Sequence, residues 1–484
     1  AAYNNASDNT DIPSNISTSR ALAKYHTSGT TTITIASGES LIIDATKTLT
    51  IDSGVTLNVD TGGSLTSSGA ITKTASGATI SGSGSVTFNS IAAYNAASDN
   101  SDKLIGSNIS TDRTLNKYNT TLTTTITIAS GEALTIDATK TLIIASGVTL
   151  EITSGRTLTI SSTGTLTSTD GIVDNDGIIS CSGTITTSSN FTGTSSGLVE
   201  FASVANYDAS VASGQLSTTL GGDTTIANYM GVGVGTTKVI LSGSETLTTS
   251  THTLTIPASV TLQVASGRTL TIAGAIIKNG TINGSGSVTF NSIAAYDATS
   301  DNTDIGSTIT TSGTRTLGKY NSLTTKVIIA SGESLTINAT AKFIIDTGVT
   351  LELVSGGTLT NGGIIVNKES LTKTAGTLTN NGLILNKSSS VFTFNSDGGK
   401  SQTLTRDFNF GDTLTIASDE TLTIAASNTL TINSGGTLNS SGIIINNHTL
   451  TITGSLVSSG TITNNSTIDG SGSVTFNSIA AYNA

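Results

Sequence analysis

An eight-residue step runs through this sequence and limits what the chain can fold into. From Ile126, apolar residues recur at Leu134, Leu142, Leu150, Leu158 and Leu166, and the first five carry an apolar partner two positions on, Ile128, Ile136, Ile144, Ile152 and Ile160. The written unit is Thr-Leu-Thr-Ile followed by four residues such as Ala129-Ser130-Gly131-Glu132 or Asp137-Ala138-Thr139-Lys140. Alternation puts Leu and Ile on one face and Thr on the other, so each octad reads as one short strand and one corner. The step returns at Ile33 to Leu65, at Val327 to Leu359 and at Leu414 to Leu438, with one seven-residue slip between Leu247 and Leu254.

Further on the step shortens to six, at Leu270, Ile276, Ile282 and Val288 and again at Leu456, Ile462, Ile468 and Val474. Fixed-length strand and corner units, without intervening helices or hairpin dipeptides, specify an all-β parallel β-solenoid (β-helix) in which equivalent residues stack into ladders. Three octads per coil give about 24 residues and three hexads about 18, whereas two-sided coils would narrow to about 12 and leave scant interior. A three-sided coil that narrows towards each module end is therefore expected.

Composition agrees. With 52 Gly, 2 Pro, no Trp and 11% charged residues, the core must come from many small β-branched and Leu side chains. The 35% hydrophobic content at regular spacing argues against disorder. A formal charge of −11 with 21 scattered Lys and Arg disfavours nucleic acid as a partner, since phosphate binding needs a basic stripe. Cys181 is the single cysteine, so no internal disulfide staples the chain. No run of 18 apolar residues is present to span a membrane.

A longer repeat overlies the octads. The string Val86 to Tyr94 (Val-Thr-Phe-Asn-Ser-Ile-Ala-Ala-Tyr) returns at Val288 to Tyr296 and Val474 to Tyr482, with degenerate versions at Val199 to Tyr207 and Val391 to Phe394. Five solenoid modules follow: 1–93, 94–206, 207–295, 296–399 with a degenerate end, and 400–484. Well-formed modules open on an Asx-rich segment and reach an Arg-x-Leu-x-Lys-Tyr string at Arg20 to Tyr25, Arg113 to Tyr118 and Arg315 to Tyr320. These strings interrupt the octads and are expected to form a loop or strand laid against the coil.

The hexad stretches resemble the left-handed hexapeptide β-helix, and the octad stretches resemble the Thr- and Gly-rich solenoids of bacterial adhesins and autotransporter passenger domains. That resemblance implies a secreted or cell-surface protein with a structural or adhesive role. The opening Ala1-Ala2-Tyr3 reads as the right half of a module junction, and the residues from Ser473 to Ala484 as its left half. Two expectations follow: a segment cut from a longer repetitive polypeptide, or a head-to-tail homopolymer whose subunits form the filament of a surface, sheath or biofilm matrix. Heterologous contacts of that kind give open filaments. An adhesin stalk is the next reading.

Catalysis finds little support, because acidic residues such as Glu39, Glu132 and Glu333 recur at equivalent corners and read as solvated turns. His26, His252 and His448 lie far apart in polar contexts and read as surface residues. No cofactor is expected apart from Ca²⁺, for which Asp8/Asp11, Asp99/Asp102 and Asp301/Asp304 offer carboxylate oxygens at module boundaries, with Asx-turns as the competing reading. Thr-x-Thr pairs such as Thr48/Thr50, Thr157/Thr159 and Thr269/Thr271 resemble the flat face of β-helical ice-binding proteins, although Asn58, Glu151 and Gln263 interrupt the ranks. Sequons such as Asn15-Ile16-Ser17 could carry glycans. The most specific set is aromatic: Tyr3, Phe88, Tyr94, Phe290, Tyr296, Phe476 and Tyr482 mark the module junctions, either plugging the narrowed coil or docking successive modules or neighbouring filaments.

Overall fold

The computed structural model describes residues 12–98, 104–186, 191–194, 196–211, 215–216, 220, 222–230, 235–242, 247–248, 252–309, 314–386, 391–394, 401–404, 407–410, 413–416, 418 and 420–479. The chain is a parallel β-solenoid built from short strands, and it divides into two compact units. The first comprises Ala1–Ser217, Thr225–Gly243 and Ile256–Gln263; the second comprises Thr218–Thr224, Ser244–Thr255 and Val264–Ala484.

In the first unit the octads become strands because each Leu and Ile turns inward while Thr turns out. In strand Thr157–Ile160, Leu158 and Ile160 are buried and the two threonines are half-buried. Strands pair mostly with the third strand after them, although Leu198–Phe201 pairs with Thr236–Leu241, the second after it. Thr123–Ile128, Leu134–Ile136 and Thr141–Ala145 form one turn and pair in parallel with Val148–Ile152, Thr157–Ile160 and Thr165–Thr169 of the next. Ile126 thus lies on Leu150, Leu134 on Leu158 and Leu142 on Leu166, all with no exposed surface. Burying each such side chain contributes about 1.5–3 kcal/mol against the entropy of ordering the chain.

Cys181 belongs to this core, laddered between Ile160 and Phe201. Burial pushes its thiol up to about 12, so it acts as a small apolar side chain.

In the second unit the same three-strand turn recurs, with Val327 on Leu351, Leu335 on Leu359 and Phe343 on Ile365. Its coils tighten as the hexads foretell. In the first unit the laddered pair Thr127 and Glu151 lies 24 residues apart and Asp174 and Thr192 lie 18 apart, and in the second Ser455 and Ser473 also lie 18 apart. The tight corners need glycine. At Gly284, φ is +125° and a Cβ would sit 2.0 Å from the Val264 carbonyl oxygen. Among the described strand pairs, pairing is parallel except at Asn386↔Thr415.

Two expectations need correction. The Arg-x-Leu strings are strands of the coil itself: Arg113–Leu115 pairs in parallel with Thr141–Ala145, and Leu115 is buried. Helices are also present, since the Ser-Ile-Ala-Ala-Tyr segments fold as short helices, α1 (Ile91–Asn95) and α3 (Ile293–Asp297), with α2 (Val204–Ser210) at the degenerate module end. Paired alanines favour a helical turn, and a serine precedes each helix as its cap.

Candidate functional site

The module junctions gather the residues that set this chain apart from a plain solenoid. In the first unit, strand Ser85–Phe88 delivers Phe88 to the core, and Ser90 then starts α1 by accepting the Ala93 N–H at 3.0 Å. Tyr94 folds back against Phe88, ring centroids 5.3 Å apart at 87°. Tyr118, from the Arg113 to Tyr118 string, meets the same ring at 5.2 Å and 69°. The second unit repeats this with Phe290 against Tyr296 (5.1 Å) and Tyr320 (5.6 Å). At the degenerate end, Phe201 meets Tyr207 and Tyr229, each at 5.4 Å. Burial pushes the Tyr94 and Tyr296 hydroxyls up to about 12.

Phe88, Tyr94, Phe290 and Tyr296 are therefore buried core residues, packed ring against ring. Phe476 is half-exposed. Tyr3 and Tyr482 lie outside the described residues.

Polar contacts lock each junction. Glu132 takes the backbone N–H groups of Ile91 and Ala92, both at 3.0 Å, and that of Ala129 in its own corner, also at 3.0 Å. Glu333 does the same for Ile293, Ala294 and Ala330 at 3.0, 3.0 and 2.9 Å. The solvated-turn reading fails for these two residues: each carboxylate neutralises the orphan N–H groups that a first helical turn leaves without partners. At the equivalent Glu39 the local bond to Ala36 N–H is made, at 3.1 Å.

An Asx side chain then clasps the loop that leaves each helix. Asn95 Oδ1 accepts the Ile105 N–H (2.8 Å), and Asp297 accepts those of Ile305 (2.7 Å) and Gly306 (2.8 Å). Burial holds the Asp297 carboxyl above its ordinary value, with the Asp304 and Glu333 carboxylates adding to the shift against the two backbone bonds. Neither the Glu cap nor the Asx clasp was drawn from the sequence. The available signal was the recurrence of Glu six residues after Ile126 and Val327.

Of the calcium candidates, Asp301 and Asp304 lie among the described residues. Asp301 Oδ2 lies 2.7 Å from Lys278 Nζ, an ion pair that ties the loop to the preceding coil. Asp304 acts on Asp297 as described, and Asp8, Asp11, Asp99 and Asp102 lie outside the described residues. Among the described residues no three His, Cys, Asp or Glu side chains cluster as a metal site. His448 Nδ1 lies 3.2 Å from Asn428 O, and His252 Nδ1 lies 4.0 Å from Asp223.

Outward hydroxyls bond one another along the ladders, as in Thr50 with Thr72 (3.0 Å), Thr56 with Thr79 (2.7 Å) and Thr269 with Ser287 (2.8 Å). Buried asparagines continue the theme where coils tighten. Asn446 Nδ2 donates to Asn464 Oδ1 at 2.7 Å and to Thr467 O at 2.8 Å. Such bonds stiffen the stack from coil to coil.

No protein-family model matches the chain, and no curated protein matches it in sequence.

Proposed function

We propose that this chain is a non-catalytic structural subunit of an extracellular filament or matrix fibre, assembling head to tail through open solenoid ends. One observation carries the reading: coil stacks on coil in parallel, with Leu and Ile ladders such as Ile126 on Leu150 and Leu134 on Leu158 inside and hydroxyl and amide side chains bonded from coil to coil outside, as in Thr50 with Thr72 and Asn446 with Asn464. A body built by adding like coils extends by adding further like coils, and parallel strand edges favour pairing with a like edge.

The remaining features fit a mechanical role. Glu132 and Glu333 are spent on backbone N–H groups, which leaves them poorly suited to acid–base work. Mutual bonding of the outward hydroxyls favours stiffness over an array offered to ice. Acidity and the scarcity of cysteine suit a secreted polymer.

Electron microscopy of the purified chain at near-physiological salt, alongside sedimentation over a hundredfold range of concentration, tests this. Unbranched filaments and a concentration-dependent rise in mass are expected. Particles that stay monomeric at every concentration would sink the reading.

A further inference from the structure

At the junctions that follow Phe88 and Phe290, one backbone ladder joins coils that elsewhere are joined by three. Within a run of octads every strand of a turn pairs with a strand of the next, as Thr123–Ile128, Leu134–Ile136 and Thr141–Ala145 do with the strands that follow them. Where the first Val-Thr-Phe string ends, that continuity fails. Strand Ser85–Phe88 is paired on both sides, with Ser64–Ser67 before it and Thr123–Ile128 after it. Ala70–Lys73 and Thr79–Gly82, however, are the last described strands of their sheets, and Asn108–Ile109 and Arg113–Leu115 are the first of theirs.

Side chains take over carbonyl groups that further strands would have used. Ser98 Oγ donates to Ile71 O at 3.2 Å, Asn119 Nδ2 to Ile80 O, and Thr121 Oγ1 to Gly82 O. The second unit repeats the arrangement. Ser287–Phe290 is paired on both sides, with Thr269–Ile272 and Thr324–Ile329. Among the described strands, Ala275–Lys278 ends its sheet, and Thr308–Ile309 and Thr314–Leu317 begin theirs. That edge too is capped by side chains, since the Ile276 N–H donates to Thr299 Oγ1 at 3.3 Å and the Lys278 N–H to Ser300 Oγ at 2.7 Å.

We infer that each of these junctions is a one-sided hinge, opening at the two interrupted ladders while the third holds, with the glutamate of the following corner as its latch. Parting two coils elsewhere breaks three ladders of backbone hydrogen bonds together. At a junction it breaks side-chain caps and the contacts of a short helix, so local opening costs less. The continuous strand is the pivot: Phe88 stays laddered on Ile126 and Phe290 on Val327. Glu132 belongs to the turn beyond the junction and holds the Ile91 and Ala92 N–H groups at 3.0 Å, so it must let go before α1 can leave. Glu333 holds Ile293 and Ala294 in the same way. Opening of this kind bends the stack towards its continuous face with that backbone ladder intact. The inference stands apart from the filament reading, since it concerns the single chain.

Spin-label pairs in the full chain, read by double electron–electron resonance, test it. Ser53 lies in the corner between Thr48–Ile51 and Val55–Val59, whose ladders stop at the first junction. Ala138 lies in the corner between Leu134–Ile136 and Thr141–Ala145, whose ladders start beyond it, and both residues are exposed. Ile42 and Thr149 face outward on the continuous ladder, linked through Thr66, Thr87 and Thr125 and so about 19 Å apart at the usual strand spacing. Cys181 is buried and takes no label. Adding Glu132→Ala should lengthen and broaden the S53C/A138C distribution and leave that of I42C/T149C unchanged. Glu132→Gln, which keeps one acceptor oxygen, should give a smaller change of the same kind, and it serves alone should the alanine variant fail to fold. Equal changes in both pairs would mean that the coils part on every side. No change in either pair would mean that the caps hold as firmly as ladders, and a change in I42C/T149C alone would place the opening on the wrong side. Each of these three results would overturn the hinge.

Discussion

Glu132 Oε2 accepts the backbone N–H of Ile91 at 3.0 Å, joining residues 41 apart in sequence where one module passes into the next. The same carboxylate holds Ala92 and Ala129, so three N–H groups depend on it. Replacing Glu132 with Ala should remove about 1.5–3 kcal/mol of local stability, the range for hydrogen bonds to a charged group. Glu132→Gln, which keeps one acceptor oxygen, should lose less. Amide hydrogen exchange checks this directly: the Ile91 and Ala92 amides should exchange faster in both variants, most in Glu132→Ala. Unchanged protection would mean the helix start is held by packing alone.

Phe290 is fully buried between Tyr296 and Tyr320, edge-on to both. Phe290→Ala should cost about 3–5 kcal/mol, the usual range for emptying a phenylalanine site. Phe290→Leu retains most of the volume but loses the ring pairs, each worth about 0.5–1.5 kcal/mol. Urea unfolding followed by tyrosine fluorescence should rank them parent, Leu, Ala. Tyr25→Ala, at an exposed position in the isolated chain, should move the midpoint by no more than about 0.5 kcal/mol.

Gly284 and Gly332 separate two reasons for a corner glycine. Both have positive φ, +125° and +83°, but a Cβ at Gly332 meets nothing within 4 Å while one at Gly284 would strike the Val264 carbonyl. Gly332→Ala should therefore cost only the left-handed backbone penalty of about 1–2 kcal/mol. At Gly284 the coils themselves would have to part, so Gly284→Ala should expose the Val264 and Leu270 amides to exchange and lower the thermal midpoint well beyond the Gly332 variant. Equal effects would show that the tight corner has room to relax.

These contrasts mark what could be read from the sequence. The octads of Leu134, Leu142 and Leu150 and the hexads of Leu456, Ile462 and Ile468 encode which faces turn inward and how far apart the coils recur, because burial imposes period two within a fixed turn length. The recurrent Val-Thr-Phe string singled out Phe88 and Phe290, and the structure buries both. The patterning was silent about α1 and α3, since five residues carry too little periodicity to announce a helix. Glu132 eluded it for another reason: a corner glutamate facing water and one reaching N–H groups in the preceding module are written alike, and only the three-dimensional return of the coil distinguishes them. Glu39 shows that ambiguity within one protein.

Asp297 offers a test of competing influences on a junction carboxylate. Two backbone N–H groups favour its ionised form, while burial and the neighbouring Asp304 and Glu333 carboxylates oppose it, and burial leads, so the folded-state value lies above the unfolded one. The folded chain therefore binds this proton more tightly than the unfolded chain, and the contribution of Asp297 to stability falls as pH rises from the ordinary carboxylate range through the raised value. Asparagine does the same work naturally: Asn95 accepts the Ile105 N–H at 2.8 Å and donates to the Ile105 carbonyl at 2.6 Å, in a loop with the same Ile-Gly sequence. Asp297→Asn removes the titration and keeps the clasp. Its thermal midpoint, relative to the parent, should rise between pH 3 and pH 7, whatever the fixed offset between the two side chains. A relative midpoint that falls over that interval would reverse the ranking and make the bonds to Ile305 and Gly306 the dominant influence on this carboxyl.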